Sequence, residues 1–317
     1  MNGGFAGLSA AGHAKRPLAM NAPAVSQRPW SGFALVGFAY VIAHVVAFAV
    51  VQATAGLHPL LVVAIADTAA TVTVFVFSRS FDNTSLYDPY WSVAPASIAA
   101  WLALGPGGVN GLTLRQGVVL TLIAVYAARL TFNWARGWTG LGHEDWRYVE
   151  IRRKTGRLYW LASFWGLHFM PTVMVFLGCL PLHAALVTGT SGFGALDGVA
   201  IGVTLGAIVI EAVADEQLRT FRQGKREDGD ICNVGLWAWS RHPNYFGEIS
   251  FWAGLLLFGL AAGGPWWSAV GLVAMVGLFV GASIPLAEKR SLARRPHYAE
   301  HQRRTSMLFP WFPRKAQ

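Results

Sequence analysis

Apolar residues run along most of this chain in stretches of about 20 residues, the length a helix needs to cross a bilayer. The third stretch is short and contains Pro95, so it is either a partial or re-entrant helix or a full span. We therefore predict an all-α fold, a polytopic transmembrane helix bundle of seven to eight spans. The eight stretches are 31–53, 57–79, 88–104, 112–135, 158–180, 196–218, 243–262 and 266–287.

The polar links between these stretches alternate in charge. Lys and Arg collect in every second link and after the last stretch, whereas the links at 54–56, 105–111, 181–195 and 263–265 contain neither residue. Lys and Arg mark the cytoplasmic side of membrane proteins, so eight crossings with both termini cytoplasmic fit best. We divide the chain into a flexible cytoplasmic tail over 1–30, a transmembrane domain over 31–290 and a basic cytoplasmic tail over 291–317.

Composition supports a membrane protein. Hydrophobic residues make up 54% of the chain and charged residues only 13%, against about 25% charged in ordinary soluble domains. The topology accounts for nearly all of the net charge of +9, which sets a nucleic-acid partner aside. The two cysteines, Cys179 and Cys232, lie far apart without metal-ligand spacing, so we predict no metal site and no disulfide framework.

Ionisable residues inside a span are costly, and each one is a functional candidate. His44 and Asp67 lie in the first two stretches, where each is either functional or an internally satisfied helix contact. Arg115 lies near a helix start, and we expect its side chain to reach the membrane interface.

The fourth stretch carries Tyr126, Arg129 and Asn133, spaced three and four apart along one helix face. A phenol, a guanidinium and an amide in one row suit a polar cavity open to the cytoplasm. The alternative is an interfacial aromatic belt with an arginine that reaches the surface.

The sixth stretch ends in four charged residues on one face, Glu211, Asp215, Arg219 and Arg222. The carboxylates follow an apolar run and are expected below the membrane surface, with the arginines nearer the cytoplasm. Carboxylates accept hydrogen bonds from hydroxyl or amide groups, and arginines bind phosphate. This order suits a large phosphorylated cofactor, although a plain salt-bridge ladder remains the alternative.

Residues 240–254, SRHPNYFGEISFWAG, carry the densest polar pattern. Pro243 fits the first turn of a helix, and the free backbone N–H groups at such a helix start favour an anion. Gly247 leaves room for the close approach of a ligand or another helix. The polar side chains at this start are Arg241, His242, Asn244 and Glu248.

The run from Glu211 to Trp252, with GLW at 235–237 and SRHPNYFGE at 240–248, resembles the C-terminal domain of the steroid 5α-reductase superfamily, especially its bacterial branch. Similar features continue in DPYWSVAP at 88–95, in GHEDWRY at 142–148 and in a C-terminal series. The resemblance spans about 88–310. It implies an integral protein of a bacterial inner membrane that uses NADPH to reduce the double bond conjugated to a ketone in 3-oxo-Δ4 steroids or similar apolar enones. The C-terminal series is Glu288, Tyr298, Thr305 and Pro310.

The resemblance also implies roles for single residues. Asp88 and Tyr126 would hold the substrate ketone as catalytic groups, with Arg129 and Trp252 at the substrate. Asp88 stands where the family has Glu, and Glu211 stands where it has Asn. The residues implied at the cofactor are Glu211, Asp215, Arg219, Arg222, Arg241, His242, Asn244, Tyr245, Gly247, Glu248 and Glu288.

Two other functions compete with the reductase. A methyltransferase of the isoprenylcysteine carboxyl class has a similar RHPxYxG cofactor segment and would bind S-adenosylmethionine in the same cavity. A transporter or lipid-binding protein would accommodate intramembrane charges but would not explain SRHPNYFGE. For the reductase, the expected partners are an apolar, steroid-like enone from the lipid phase and the membrane lipids.

Overall fold

The computed structural model describes residues 29–105, 111–225, 227 and 229–313, and this part of the chain is helical without a β-strand. Most of the predicted tail over 1–30 lies outside the described residues. The helices are α1 Pro29–Ala53, α2 Pro59–Ser80, α3 Tyr90–Leu104, α4 Leu114–Gly137, α5 Trp146–Thr155, α6 Tyr159–Ser163, α7 Met170–His183, α8 Ala195–Gln223, α9 Pro243–Ala261, α10 Val270–Leu278, α11 Ile284–Arg294 and α12 Tyr298–Arg304.

All eight predicted stretches are helical, which confirms the all-α polytopic bundle. Six helical segments in the described ranges are long and apolar enough to cross a membrane. This is fewer than the seven to eight spans predicted, because α3 and α9 are not among the six segments. Helix α3 has 15 residues with Pro95 inside, about 22 Å at 1.5 Å per residue, which is shorter than a bilayer core. Helix α9 has 19 residues, and polar side chains occupy its first turns. The six segments are Trp30–Ala53, Pro59–Ser80, Leu114–Gly137, Trp146–Thr188, Ala195–Gln223 and Trp266–Arg294.

Helices α8 and α9 pack with their backbones in close approach, and two glycines of α9 allow it. A Cβ atom on Gly254 would lie 2.0 Å from Thr204 Oγ1, and one on Gly247 would lie 2.9 Å from the Glu211 Cβ. Small residues at such spacing permit this kind of helix contact in membranes. Gly247 was expected to leave room for a ligand or for another helix, and the structure shows another helix, α8, at this position.

Arg115 is buried, contrary to the expectation that it would reach the interface. Its Nε lies 2.7 Å from Asp197 Oδ1 and its Nη2 lies 2.9 Å from Asp197 Oδ2. The guanidinium also donates to the carbonyl oxygens of Ser191 and Gly192, each at 2.7 Å. This bidentate pair joins the start of α4 to the start of α8. The Arg115 side chain is therefore paired inside the protein and does not extend to the membrane interface.

The chain after α11 folds back onto the start of α9. The Arg241 N–H donates to the Ser306 carbonyl oxygen at 2.8 Å, and the Ser240 hydroxyl donates to the Leu308 carbonyl oxygen at 2.8 Å. The boundary predicted between residues 290 and 291 falls inside α11. As far as the described residues extend, the predicted tail thus forms part of the surroundings of Arg241.

Substitution Asp197→Asn is expected to destabilise the protein by about 3–5 kcal/mol, because it leaves the buried Arg115 charge without a counter-charge. Thermal unfolding of the detergent-purified protein measures the effect. The matched control is Glu150→Gln, since Glu150 pairs with Arg153 and Lys154 on an exposed face of α5. Equal, small shifts for both variants would contradict the structural role of the buried pair.

Candidate functional site

The polar stripe of α4 faces the acidic face of α8. Arg129 Nη2 lies 2.7 Å from Glu211 Oε1, and Arg129 Nη1 lies 3.1 Å from Asp215 Oδ2. The Asn133 amide donates to the same Asp215 oxygen at 2.9 Å. The two rows predicted separately from sequence therefore form one paired cluster, and an interfacial belt does not describe the stripe.

Tyr126 belongs to the same cluster through α9. Its hydroxyl donates to Glu248 Oε1 at 2.7 Å, and the Trp252 indole N–H donates to that same oxygen at 2.9 Å. The phenol ring stacks on Phe251. Tyr126, Glu248 and Trp252 are all buried. We call the group Tyr126, Arg129, Asn133, Glu211, Asp215, Glu248 and Trp252 the inner cluster.

A cavity of about 580 Å³ lies at the starts of α5 and α9 and the ends of α8 and α11. Six arginines from four parts of the chain line it, and Asp145 is its one acidic lining residue among the described ranges. The wall is thus strongly positive, and we call this space the arginine cavity. Its arginines are Arg147, Arg222, Arg241, Arg290, Arg294 and Arg295.

Glu288 holds the start of α9 in place beside the arginine cavity. Its Oε1 accepts from Arg241 Nε at 2.6 Å and lies 3.3 Å from His242 Nε2, while its Oε2 accepts from the Gln302 amide at 2.7 Å. The His242 ring stacks on Tyr245, with centroids 5.3 Å apart. Glu288 therefore contacts Arg241 and His242 and orients them.

The arginine cavity and the inner cluster lie along the same two helices. Asn244 lines the cavity and Glu248 belongs to the cluster, and residues four apart share one face of α9. Arg222 lines the cavity and Asp215 belongs to the cluster, seven residues apart on α8. The two regions therefore follow one another along α8 and α9.

Most residues predicted at a cofactor lie in one of these two regions. Arg219 does not line the arginine cavity; it contacts Glu216 and donates to the Gln223 side chain at 3.0 Å. The residues predicted in the cofactor set that line the cavity are Arg222, Arg241, His242, Asn244 and Tyr245.

Asp88 and Tyr126, predicted to act together on a ketone, have different partners here. Asp88 lies in the link between α2 and α3, and its Oδ1 accepts from the Tyr148 hydroxyl at 2.6 Å. Burial raises the pKa of the Asp88 carboxyl to about 7, against the opposing effects of the Tyr148 hydrogen bond and of Arg147. A carboxyl group of this kind can hold its proton near neutral pH and donate a hydrogen bond.

Sequence reasoning missed several residues of the arginine cavity. Arg147 and Asp145 lie in GHEDWRY, which carried the family resemblance but was not assigned to the site. Arg290 and Arg294, spaced by four on α11, were explained by membrane topology alone, as was Arg295. A four-residue repeat of arginines on the helix that carries Glu288 was the signal that could have identified them.

Comparison with known proteins places the chain in a family. The model of a family described as a protein of unknown function (DUF1295) matches residues 74–305. An uncharacterised protein of Schizosaccharomyces pombe is 28% identical over 251 residues, which cover 72% of this chain and 73% of the relative. No solved structure matches. The matched range contains the arginine cavity and the inner cluster, and the chain belongs to the DUF1295 family, a part of the steroid 5α-reductase-like superfamily.

Proposed function

We propose that this protein is a membrane-embedded, NADPH-dependent reductase of the conjugated C=C bond of 3-oxo-Δ4 steroids or similar apolar enones. The observation that carries the proposal is the arginine cavity, which continues along α8 and α9 into the buried cluster around Tyr126. Phosphates would bind in the first region, and a polarised ketone would lie near the second. The superfamily to which the chain belongs supports this assignment.

The residues of the arginine cavity fit a phosphorylated cofactor. Six arginines line the cavity, and two carboxylates of the described residues pair with them: Asp145 with Arg147, and Glu288 with Arg241. The arginines therefore outnumber these carboxylates, and guanidinium groups bind phosphate with planar, charge-assisted geometry. S-adenosylmethionine carries a sulfonium cation, which this wall would repel. The charge of the cavity thus favours NADPH over the methyl donor.

The inner cluster supplies two buried hydrogen-bond donors, the Tyr126 hydroxyl and the Trp252 indole N–H. NADPH, when bound, supplies a hydride, and addition of a hydride to the β-carbon of an enone places negative charge on the ketone oxygen of the resulting enolate, whose α-carbon then takes up a proton from water. Buried donors stabilise such charge strongly. The Tyr126 hydroxyl would turn from Glu248 to the ketone, and Glu248 would keep the hydrogen bond from Trp252. Protonated Asp88 would be the second donor, as the family resemblance implies.

The first test is thermal stabilisation of detergent-purified protein by NADPH and, separately, by S-adenosylmethionine. NADPH should raise the unfolding midpoint, and Arg294→Gln should weaken NADPH binding about 10- to 100-fold, because a hydrogen bond to a charged group is worth about 1.5–3 kcal/mol. Arg304→Gln is the matched control, since Arg304 pairs with Glu300 on α12 outside the arginine cavity. Stabilisation by S-adenosylmethionine alone would overturn the proposal in favour of the methyltransferase.

The second test concerns Tyr126. Tyr126→Phe should keep NADPH binding and lower turnover of a 3-oxo-Δ4 steroid about 100-fold, since one donor to the developing oxyanion is lost. NADPH oxidation measures turnover. Tyr159→Phe makes the same chemical change at a hydroxyl that contacts Thr84 and Glu144 away from the inner cluster, and it should turn over normally. Full activity of Tyr126→Phe would remove Tyr126 from the mechanism.

The third test uses pH. Because burial raises the pKa of Asp88 to about 7, its carboxyl donates below that pH and loses its proton above it. Turnover should therefore fall as the pH rises through about 7. Asp88→Asn carries a donor that does not titrate, so this variant should retain part of the activity while the fall near pH 7 disappears. An unchanged pH profile in Asp88→Asn would show that another group titrates there.

A further inference from the structure

A second cavity, of about 360 Å³, lies between α1, α2 and α3. Its volume falls within the ~300–1,000 Å³ typical of small-molecule sites. None of its lining residues lines the arginine cavity. The part of its wall that α1 and the first residues of α2 supply precedes residues 74–305, the range that the family shares. We call it the α1–α3 cavity.

Two residues that line this cavity have a buried polar atom without a hydrogen-bond partner in the described part of the chain: Asp67, through Oδ2, and Trp101, through Nε1. The Asp67 side chain lines the cavity and is 7% exposed. Asp67 Oδ1 accepts from the Tyr90 hydroxyl at 2.6 Å, whereas its Oδ2 is buried without a hydrogen-bond partner in the described part of the chain. Buried polar oxygens are nearly always bonded, and an unbonded one carries its full desolvation cost.

The polar side chains of His44, Ser97 and Tyr90, which also line the cavity, already have hydrogen-bond partners. His44 Nδ1 lies 2.7 Å from the Tyr40 carbonyl oxygen, and His44 Nε2 lies 2.8 Å from Ser97 Oγ. His44 is therefore the internally satisfied helix contact considered above, joining α1 to α3. The Tyr90 hydroxyl also lies 3.0 Å from the Asp67 carbonyl oxygen, so it keeps an acceptor if the Asp67 carboxyl is engaged elsewhere.

The α1–α3 cavity is long as well as apolar. Tyr90 and Trp101 both line it, and eleven residues of helix separate them by about 16 Å. Most of the remaining wall consists of Ala, Val and Ile side chains. The shape fits an elongated apolar molecule with a polar group at the Asp67 end.

We propose that the α1–α3 cavity binds an apolar alcohol, with its hydroxyl on Asp67 Oδ2. A carboxylate only accepts hydrogen bonds, whereas a carboxylic acid both donates and accepts. A hydroxyl complements Asp67 in either form. A ketone would complement only the acid, and an ammonium group would lose its hydration inside an apolar wall.

Two sources supply such a molecule. One is an alcohol of the membrane lipid, such as a sterol-like or long-chain alcohol. The other is an alcohol-bearing substrate or product of the proposed reductase, and only this second source rests on the proposed function. The proposal of an alcohol site does not depend on whether the protein binds NADPH.

The test is photolabelling of the full chain in detergent with a diazirine-bearing 3β-hydroxysteroid, followed by mass spectrometry of the labelled peptides. We expect the label on α1, α2 and α3. Unlabelled 5α-androstan-3β-ol should compete at a concentration at least about tenfold lower than 5α-androstane, which lacks only the hydroxyl. Equal competition by the alcohol and the hydrocarbon, or labelling confined to other helices, would overturn the proposal.

Three variants of α2 sharpen this test. Asp67→Leu should abolish the preference for the alcohol, and Asp67→Asn should retain it because its amide still bonds a hydroxyl. Thr73→Val is the matched control, since the Thr73 hydroxyl bonds the Ala69 carbonyl oxygen of its own helix and does not line the cavity. If Asp67→Leu does not fold, the comparison of alcohol and hydrocarbon on the wild-type chain still tests whether the cavity prefers the alcohol.

Two further measurements identify the source. A lipid alcohol that copurifies with the wild-type chain and not with Asp67→Leu assigns the α1–α3 cavity to a membrane lipid. A raised KM for the enone at unchanged kcat in Asp67→Leu assigns it to the substrate or product. Absence of NADPH oxidation would remove the proposed function and leave the photolabelling result unaffected.

Discussion

The core of this protein depends on the ion pairs that the Arg129 guanidinium makes with two carboxylates. The guanidinium bridges Glu211 and Asp215 of α8 from its position on α4, in a region where an unpaired carboxylate would be costly. Glu248 of α9 lies close by because Gly247 lets α9 approach Glu211. Neutral donors bond Asp215 and Glu248, whereas Glu211 is held by the Arg129 ion pair and its Oε2 has no hydrogen-bond partner among the described residues. The donors are Asn133, Tyr126 and Trp252.

This arrangement separates two kinds of charge along the same helices. Carboxylates dominate the inner cluster, and arginines dominate the cavity near the ends of α8 and α11. An anionic group is therefore attracted to the arginine cavity and repelled from the inner cluster. A long ligand with phosphates at one end and a neutral ring at the other would take a single orientation in this field.

The sequence allowed the helices and both polar rows of the inner cluster to be predicted, because apolar length and three-to-four-residue spacing are local properties. The contact between the two rows depends on tertiary packing, which the spacing along each helix does not specify. Arg219 shows the limit of grouping by spacing: at about 100° per residue, Arg222 returns to within about 20° of Glu211, whereas Arg219 is about 80° away.

Other residues of the site were hidden for different reasons. An arginine that marks the cytoplasmic side and one that lines a cavity look the same in a sequence, so Arg290 and Arg294 were explained by topology alone. Asp88 meets Tyr148 across 60 residues of chain, a pairing that no local pattern contains. Arg115 lies near a helix start, which suggested exposure, and its partner Asp197 lies on another helix.

The return of the chain onto Arg241 has a consequence for biosynthesis. The walls of the arginine cavity come from residues 145 to 301, and Arg241 donates to the carbonyl oxygen of Gln302 at 2.9 Å. During translation, α4, α8 and α9 are made before α11 and α12, so the inner cluster can pair while the cavity still lacks a wall. The charges of the inner cluster can therefore pair before the arginine cavity is complete, because the cavity needs Tyr298 and His301 of α12.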